Sequence, residues 1–273
     1  MSQAATAVDR GRGIASPDAL LKVARRYVPP VAVFFSVIVL WELITSGPGR
    51  RVFPPPSAIV AAGLENTEVL LRATQATFFE AIGGLVIGTI GGLLVAFASA
   101  RWATARDVLL PVAIASSAIP IIAIAPILNN WFGVLNPLSK MMMAALLVFF
   151  PVVINVTRGL VEVQPASLEL MRSYAASELA VLRKLRIPNM LPFLFTALKV
   201  GTTLSFIGAI VGEYFGGTSE VLGRVVLQSM SSGRYSLAWA GILIGSVAAI
   251  AAYLVVSLIE RLAIPWHATQ RND

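Results

Sequence analysis

The chain is 273 residues long, 57% hydrophobic and 13% charged, about half the charged share of an ordinary soluble domain, with a mean hydropathy of +0.80. That composition excludes disordered, collagen-like and disulfide-scaffold classes and makes a lipid bilayer the expected solvent. The net charge of +7 is carried mainly by Arg at the ends of apolar runs, which reads as a topology signal; a nucleic-acid surface would need a basic stripe with stacking aromatics. Without Cys there is neither a disulfide nor a thiolate metal ligand, and no metal site is expected.

In chain order, residues 1–27 are polar and basic and lead into an apolar run without an A-x-A-like cleavage site, so they read as a cytoplasmic tail rather than a removable signal. A helix needs about 20 residues to cross the hydrocarbon. The apolar runs resolve on that basis into six spans near 28–46, 77–99, 108–132, 138–158, 192–216 and 237–262, within one transmembrane domain over 28–265 and before a short tail, 266–273. Lys and Arg gather in the N-terminal tail, at 101–107, at 158–186 and after Arg261; this side holds fourteen of them against six at 50–72, 140 and 224–234. The positive-inside rule therefore puts both termini in the cytoplasm, as an even number of spans requires.

The third span carries Pro111, Pro120 and Pro126 and then the polar pair Asn129 and Asn130. Each Pro removes a helical hydrogen bond, so the span is expected to be broken; it is either a kink buried among neighbours or the lining of a solute path. Gly84, Gly88 and Gly92 form a ridge along which another helix can approach closely. Glu213, near the end of the fifth span, is either interfacial, the favoured reading, or part of the pathway. Glu42 and Glu80 are expected to snorkel to the outer headgroups.

Between the fourth and fifth spans lies RGLVEVQPASLELMRSYAASELAVLRKLRIPNMLP, Arg158 to Pro192. Pro165 suits a first helical turn, Glu169 and Arg172 are spaced to pair, and Leu168, Met171 and Ala175 share one face, which predicts a short amphipathic helix. A second helix is expected from an N-cap at Ser177 to about Arg186, stopped by Pro188. Two short helices with exposed apolar faces suit a docking partner or a hairpin lying in the headgroups.

The segment resembles the EAA loop of permease subunits of binding-protein-dependent ABC importers, E-A-A-x3-G-x9-I-x-L-P. Glu169 takes the Glu, Leu170 and Met171 the Ala pair, Ala175 the Gly, Leu185 the Ile, Ile187 the Leu and Pro188 the Pro. FPPPS at Phe53 to Ser57, IPIIAIAPILNNWFG at Ile119 to Gly133, FFPVVIN at Phe149 to Asn155, ALKV at Ala197 to Val200, GAIVGEYFGG at Gly208 to Gly217 and ERLAIPWH at Glu260 to His267 are similar to further elements of the branch that includes nitrate, sulfonate, taurine and thiamine-precursor importers. A loop Gly supplies a left-handed backbone that costs a residue with a Cβ about 1–2 kcal/mol, so Ala175 either bears that strain or turns differently.

The resemblance implies an all-α type I importer permease in the bacterial inner membrane, with six spans and a cytoplasmic coupling loop at about 159–190. It implies a homodimer, a separate ATPase homodimer that holds the ATP and Mg, and an extracytoplasmic solute-binding protein. Pro165, Leu168, Glu169, Met171, Arg172, Tyr174, Ala175 and Pro188 would couple to the ATPase, and Pro120, Pro126, Asn129, Asn130, Glu213 and Ser219 would line the pathway or its gate. The chain itself has no P-loop, since none of its four Lys follows a Gly, so it is not expected to be an enzyme or to bind a cofactor. The single His, His267, lies in the C-terminal tail, away from any catalytic motif. An ion-coupled secondary transporter is the alternative; it would need midplane ionisable residues and inverted repeats, neither of which is visible. The solute expected is small and polar, of the pyrimidine or vitamin-precursor type or of the sulfonate or nitrate type.

Overall fold

The computed structural model describes residues 17–47, 52–116 and 119–265. The start of the N-terminal tail, the C-terminal tail with His267, and the basic pair Arg50 and Arg51 fall outside the described residues. The described chain is helical, in two compact units that meet between Ala58 and Ile59.

The first unit holds α1 (Pro17–Thr45), which starts well before the expected 28 and takes Pro29 and Pro30 into its interior. Its side of the turn to α2 (Pro56–Glu65) is fixed by Glu42, whose carboxylate accepts from Ser57 N–H at 3.0 Å and Ser57 Oγ–H at 2.6 Å. Glu42 therefore spends its charge on the first turn of α2, where unpaired N–H groups favour an anion, instead of merely snorkelling.

The second unit is built on three helices: α3 (Thr67–Arg101), α6 (Pro137–Val161) and α9 (Ile187–Phe215). The Gly84, Gly88 and Gly92 ridge of α3 lies on α6. A Cβ on Gly84 would collide with Ala144, one on Gly88 with the Ala145 carbonyl, and one on Gly92 would sit 2.7 Å from Val152 Cγ1. From the other side, a Cβ on Gly208 of α9 would lie 2.6 Å from Ala144 Cα. Small residues thus let both neighbours close on α6, and Val148, Val152, Val156 and Leu160 are wholly buried between them. The ascending numbers of the α3–α6 contacts mean that these helices run parallel, whereas α9 runs antiparallel to both.

Among the described residues, five runs are long and apolar enough to cross a membrane: Val28–Thr45, Thr67–Arg101, Pro137–Val161, Glu178–Phe215 and Tyr235–Ala263. The expectation of six such spans is corrected at the third, which is two short helices, α4 (Ala103–Ser116) and α5 (Ile121–Phe132). The cause is Pro120, which sits at the α5 N-cap and holds the residue before it out of helical geometry. Pro111 and Pro126 are absorbed inside α4 and α5.

Pro188 does not stop the second loop helix. Ser177 caps α8 (Glu178–Val181), as expected, accepting from Ala180 N–H at 3.3 Å. A π-helical turn, Leu182–Arg186, then carries the chain straight into α9, with Pro188 in its first turn. The wider turn accommodates a residue that lacks an N–H and cannot close a normal helical bond. After α9 come α10 (Leu222–Ser231), a ten-residue amphipathic helix, and α11 (Tyr235–Ala263), antiparallel to α9.

Candidate functional site

Two places in the second unit concentrate polar chemistry, at opposite ends of α9. At its N-terminal end the loop leaves α6 and forms α7 (Pro165–Ser173), with Pro165 in the first turn. None of its residues is buried: Leu168 and Met171 are half-covered, while Glu169, Leu170, Arg172 and Tyr174 are exposed, Tyr174 by 77%. The expected Glu169–Arg172 ion pair does not form among the described residues, so both charges stay available.

Beyond α7 the chain reverses on Ala175, which has φ +50° and is the sole non-Gly residue with positive φ among those described. Ala175 N–H donates to Arg172 O at 2.9 Å and Ala176 N–H to Met171 O at 3.0 Å, the paired bonds of a Schellman turn. Ala175 thus adopts the left-handed conformation a Gly would take there, at a cost of about 1–2 kcal/mol. The loop is secured by Asn189, whose amide donates to Gly159 O at 2.7 Å and Glu162 O at 3.2 Å, closing the last carbonyls of α6.

At the other end of α9 lies a buried cluster: Thr77 and Glu80 of α3, Lys140 of α6 and Glu213 of α9, each at most 4% exposed. Leu222 N–H donates to Thr77 Oγ1 at 3.0 Å and Gly223 N–H to Glu213 Oε2 at 2.5 Å, so the first turn of α10 is capped by side chains of two other helices. Its own N-cap residue, Val221, has no side-chain oxygen to offer. Lys140 Nζ donates to Val134 O and, at 3.4 Å, to Asn136 O in the turn between α5 and α6, and acts through space on both carboxylates. Among the described residues, Glu80 Oε2 and Glu213 Oε1 have no hydrogen-bond partner. Glu213 is therefore buried and not exposed at a surface, and Glu80 is buried as well: α3 begins ten residues earlier than expected, which carries Glu80 into the packed interior.

Of the other pathway candidates, Asn129 is buried beside Gly216, whose Cβ position would lie 3.0 Å from the Asn129 amide nitrogen. Pro120, Pro126, Asn130 and Ser219 are exposed and outside the cluster. A cavity of about 550 Å³ lies among α9, α10 and α11; its walls are apolar apart from Thr203, Tyr214 and Ser246, and none carries a charge. Sequence reasoning missed Thr77 and Lys140, the latter read only as a topology charge, although a Lys beginning a long apolar run is itself a signal of a satisfied intramembrane charge. It also missed the 2.8 Å ion pair between Lys199 of α9 and Glu260 of α11, which joins two of the stretches behind the resemblance.

Residues 88–266 match the family described as binding-protein-dependent transport system inner membrane component. The chain belongs to that family. It is 33% identical to a probable ABC transporter permease protein of Haemophilus influenzae over 80% of this chain and 89% of the relative. It is 28% identical to the formylaminopyrimidine transport permease protein of Halalkalibacterium halodurans over 92% of this chain and the whole of that one. Among solved structures it shares the fold of an inward-facing MetNI methionine ABC transporter chain, with a TM-score of 0.56 and 17% identity over 72% of this chain and 94% of that one. The permease is thus the non-catalytic, multi-pass inner-membrane component of an ABC importer, forming the translocation pathway and coupling it to an ATPase and a solute-binding protein.

Proposed function

We propose that α7 is the helix through which the ATPase drives this permease, and that the observation carrying this reading is its exposure beside a left-handed Ala175 in EAA register. Leu170 and Tyr174 present apolar surface and Glu169 and Arg172 unpaired charge, the combination suited to a groove on a partner. Leu168, Met171 and Pro165 shape the helix, and Pro188 lies at its junction with α9.

Six crossings fit this reading. Since α3 and α6 run parallel, the chain between them must return from one end of the bundle to the other, and α4 and α5 together supply that crossing. The α7 end and both termini are then cytoplasmic, and α10 faces the solute-binding protein. Two permease copies and two ATPase copies complete the complex. Because α8, the π turn and α9 form 38 unbroken helical residues, about 57 Å at 1.5 Å each, a stroke passed from α7 across the Ala175 turn travels from Glu178 to Glu213 along one continuous helix. Gate residues on this reading are Asn129, Glu213 and Ser219, with Asn130 and the Pro120 and Pro126 breaks flanking the path.

The solute is a neutral heteroaromatic of the pyrimidine type. The formylaminopyrimidine permease matches over its whole length and 92% of this chain, and the cavity beside α9 has hydroxyls but no cation to hold a sulfonate or nitrate. Glu169→Lys is the test of the coupling role. The variant should insert and bind normally, yet lose ATP-driven uptake while the ATPase continues to turn over; unchanged uptake would refute the role. In proteoliposomes with the partner subunits, formylaminopyrimidine should enter and taurine should not.

A further inference from the structure

α10 is too short to cross a membrane and has no capping side chain of its own, yet its first turn is deeply buried. Both of its leading N–H groups are taken by other helices, through Thr77 of α3 and Glu213 of α9. Glu213 is also pressed against the start of α10: a Cβ on Gly223 would lie 2.7 Å from Glu213 Cβ. Glu80 stands beside Glu213, and Lys140 acts on both while holding the carbonyls of the α5–α6 turn. That turn in its own right meets the end of α9, since a Cβ on Gly216 would lie 2.9 Å from Val134 O. Two carboxyls, an ammonium and a hydroxyl therefore gather where the start of α10, the α5–α6 turn and the end of α9 meet α3 and α6. None of them reaches solvent, so none is placed to hold a solute.

We propose that Thr77, Glu80 and Lys140 are positioning residues which, with Glu213, lock α10 and the α5–α6 turn onto α3 and the ends of α6 and α9 as one rigid block. The gate then opens by movement of the whole block at the end of the α9 lever, and α10 does not swing as an independent flap. This rests on the reading that α7 is driven from the cytoplasm and that α10 faces outward. Buried polar groups suit such a role because a partly broken network leaves N–H groups and charges without partners, which makes the joined state close to all-or-none.

Hydrogen exchange on the intact importer reads the lock without any substitution. First-turn amides of a helix ordinarily exchange fast, but those of Leu222 and Gly223 should exchange about 100-fold more slowly than those of Glu68 and Val69 in the uncapped, exposed first turn of α3, in both the nucleotide-free and the ATP-trapped complex. Equal rates, or protection lost only on ATP trapping, would overturn the proposal, the latter by showing an independent flap. A chain without cysteine also allows one reporter thiol: Ser229→Cys, on the buried face of α10. Adding Thr77→Val should raise its maleimide labelling about tenfold and lower uptake per ATP hydrolysed, and Thr77→Ser should restore both. Labelling and coupling unchanged in Thr77→Val would count equally against the lock. Failure of Glu169→Lys to uncouple, with Leu222 and Gly223 still protected, would instead sink the coupling reading and leave the lock standing.

Discussion

The two ends of α9 use charge in opposite ways. At the α10 end, Glu80, Lys140 and Glu213 are almost wholly removed from solvent and act on one another. At the α7 end, Glu169 and Arg172 are exposed and pair with nothing among the described residues, and Leu170 and Tyr174 beside them are exposed too. An end whose polar groups are consumed internally is built to stay together; an end that displays both charge and apolar surface is built to be held by something else. On the proposed reading, the contrast separates the part of the permease that moves as a block from the part that is gripped.

The largest effect should follow from breaking the buried end. Lys140→Met leaves two carboxyls without the cation that acts on both, and should destabilise the detergent-solubilised permease by about 3–5 kcal/mol in thermal unfolding, with partial recovery on adding Glu80→Gln. Gly92→Leu comes next: Val152 lies where the new side chain would start, and overpacking should cost about 1–3 kcal/mol and loosen the α3–α6 contact in the same assay. At the gripped end the changes should be small. Ala175→Gly should stabilise by about 1 kcal/mol by relieving the left-handed strain, with uptake unchanged. Tyr174→Ser should move stability by less than about 0.5 kcal/mol yet reduce coupled uptake, since the ring is left exposed by the described residues. A Tyr174→Ser variant that melts early, or a Lys140→Met variant as stable as the parent, would erase the distinction between the two ends.

What the sequence disclosed follows the same division. The α7 loop was readable because its signals are local: Pro165 at a helix start, Ser177 as an N-cap, and a spacing that ends at Pro188. Even the question of Ala175 could be framed in advance, since a position that wants a left-handed backbone is defined by its neighbours in sequence. The Gly84, Gly88 and Gly92 ridge was legible for the same reason, although its partner α6 was not. Hidden were the features made by distant segments: Thr77 meeting Leu222 across 145 residues, and Lys199 meeting Glu260 across 61. Glu80 was misplaced because hydropathy locates the apolar part of a helix and not its ends, and α3 begins ten residues before that part, whereas the burial of Glu213 comes from α10 folding back so that Gly223 lies on it. The expected stop at Pro188 failed because a π turn can absorb a proline that ordinary helical bonding cannot.

The account depends most on α7 being held by a separate motor subunit. Leu170→Cys provides the direct reading in a chain that has no other thiol: its side chain is 56% exposed on α7. Maleimide labelling of this residue in proteoliposomes should be fast for the permease alone and at least about tenfold slower once the ATPase subunits are bound, with solute entering only in the second case and only with ATP. Labelling that ignores the ATPase, together with uptake driven by an ion gradient in its absence, would contradict the account.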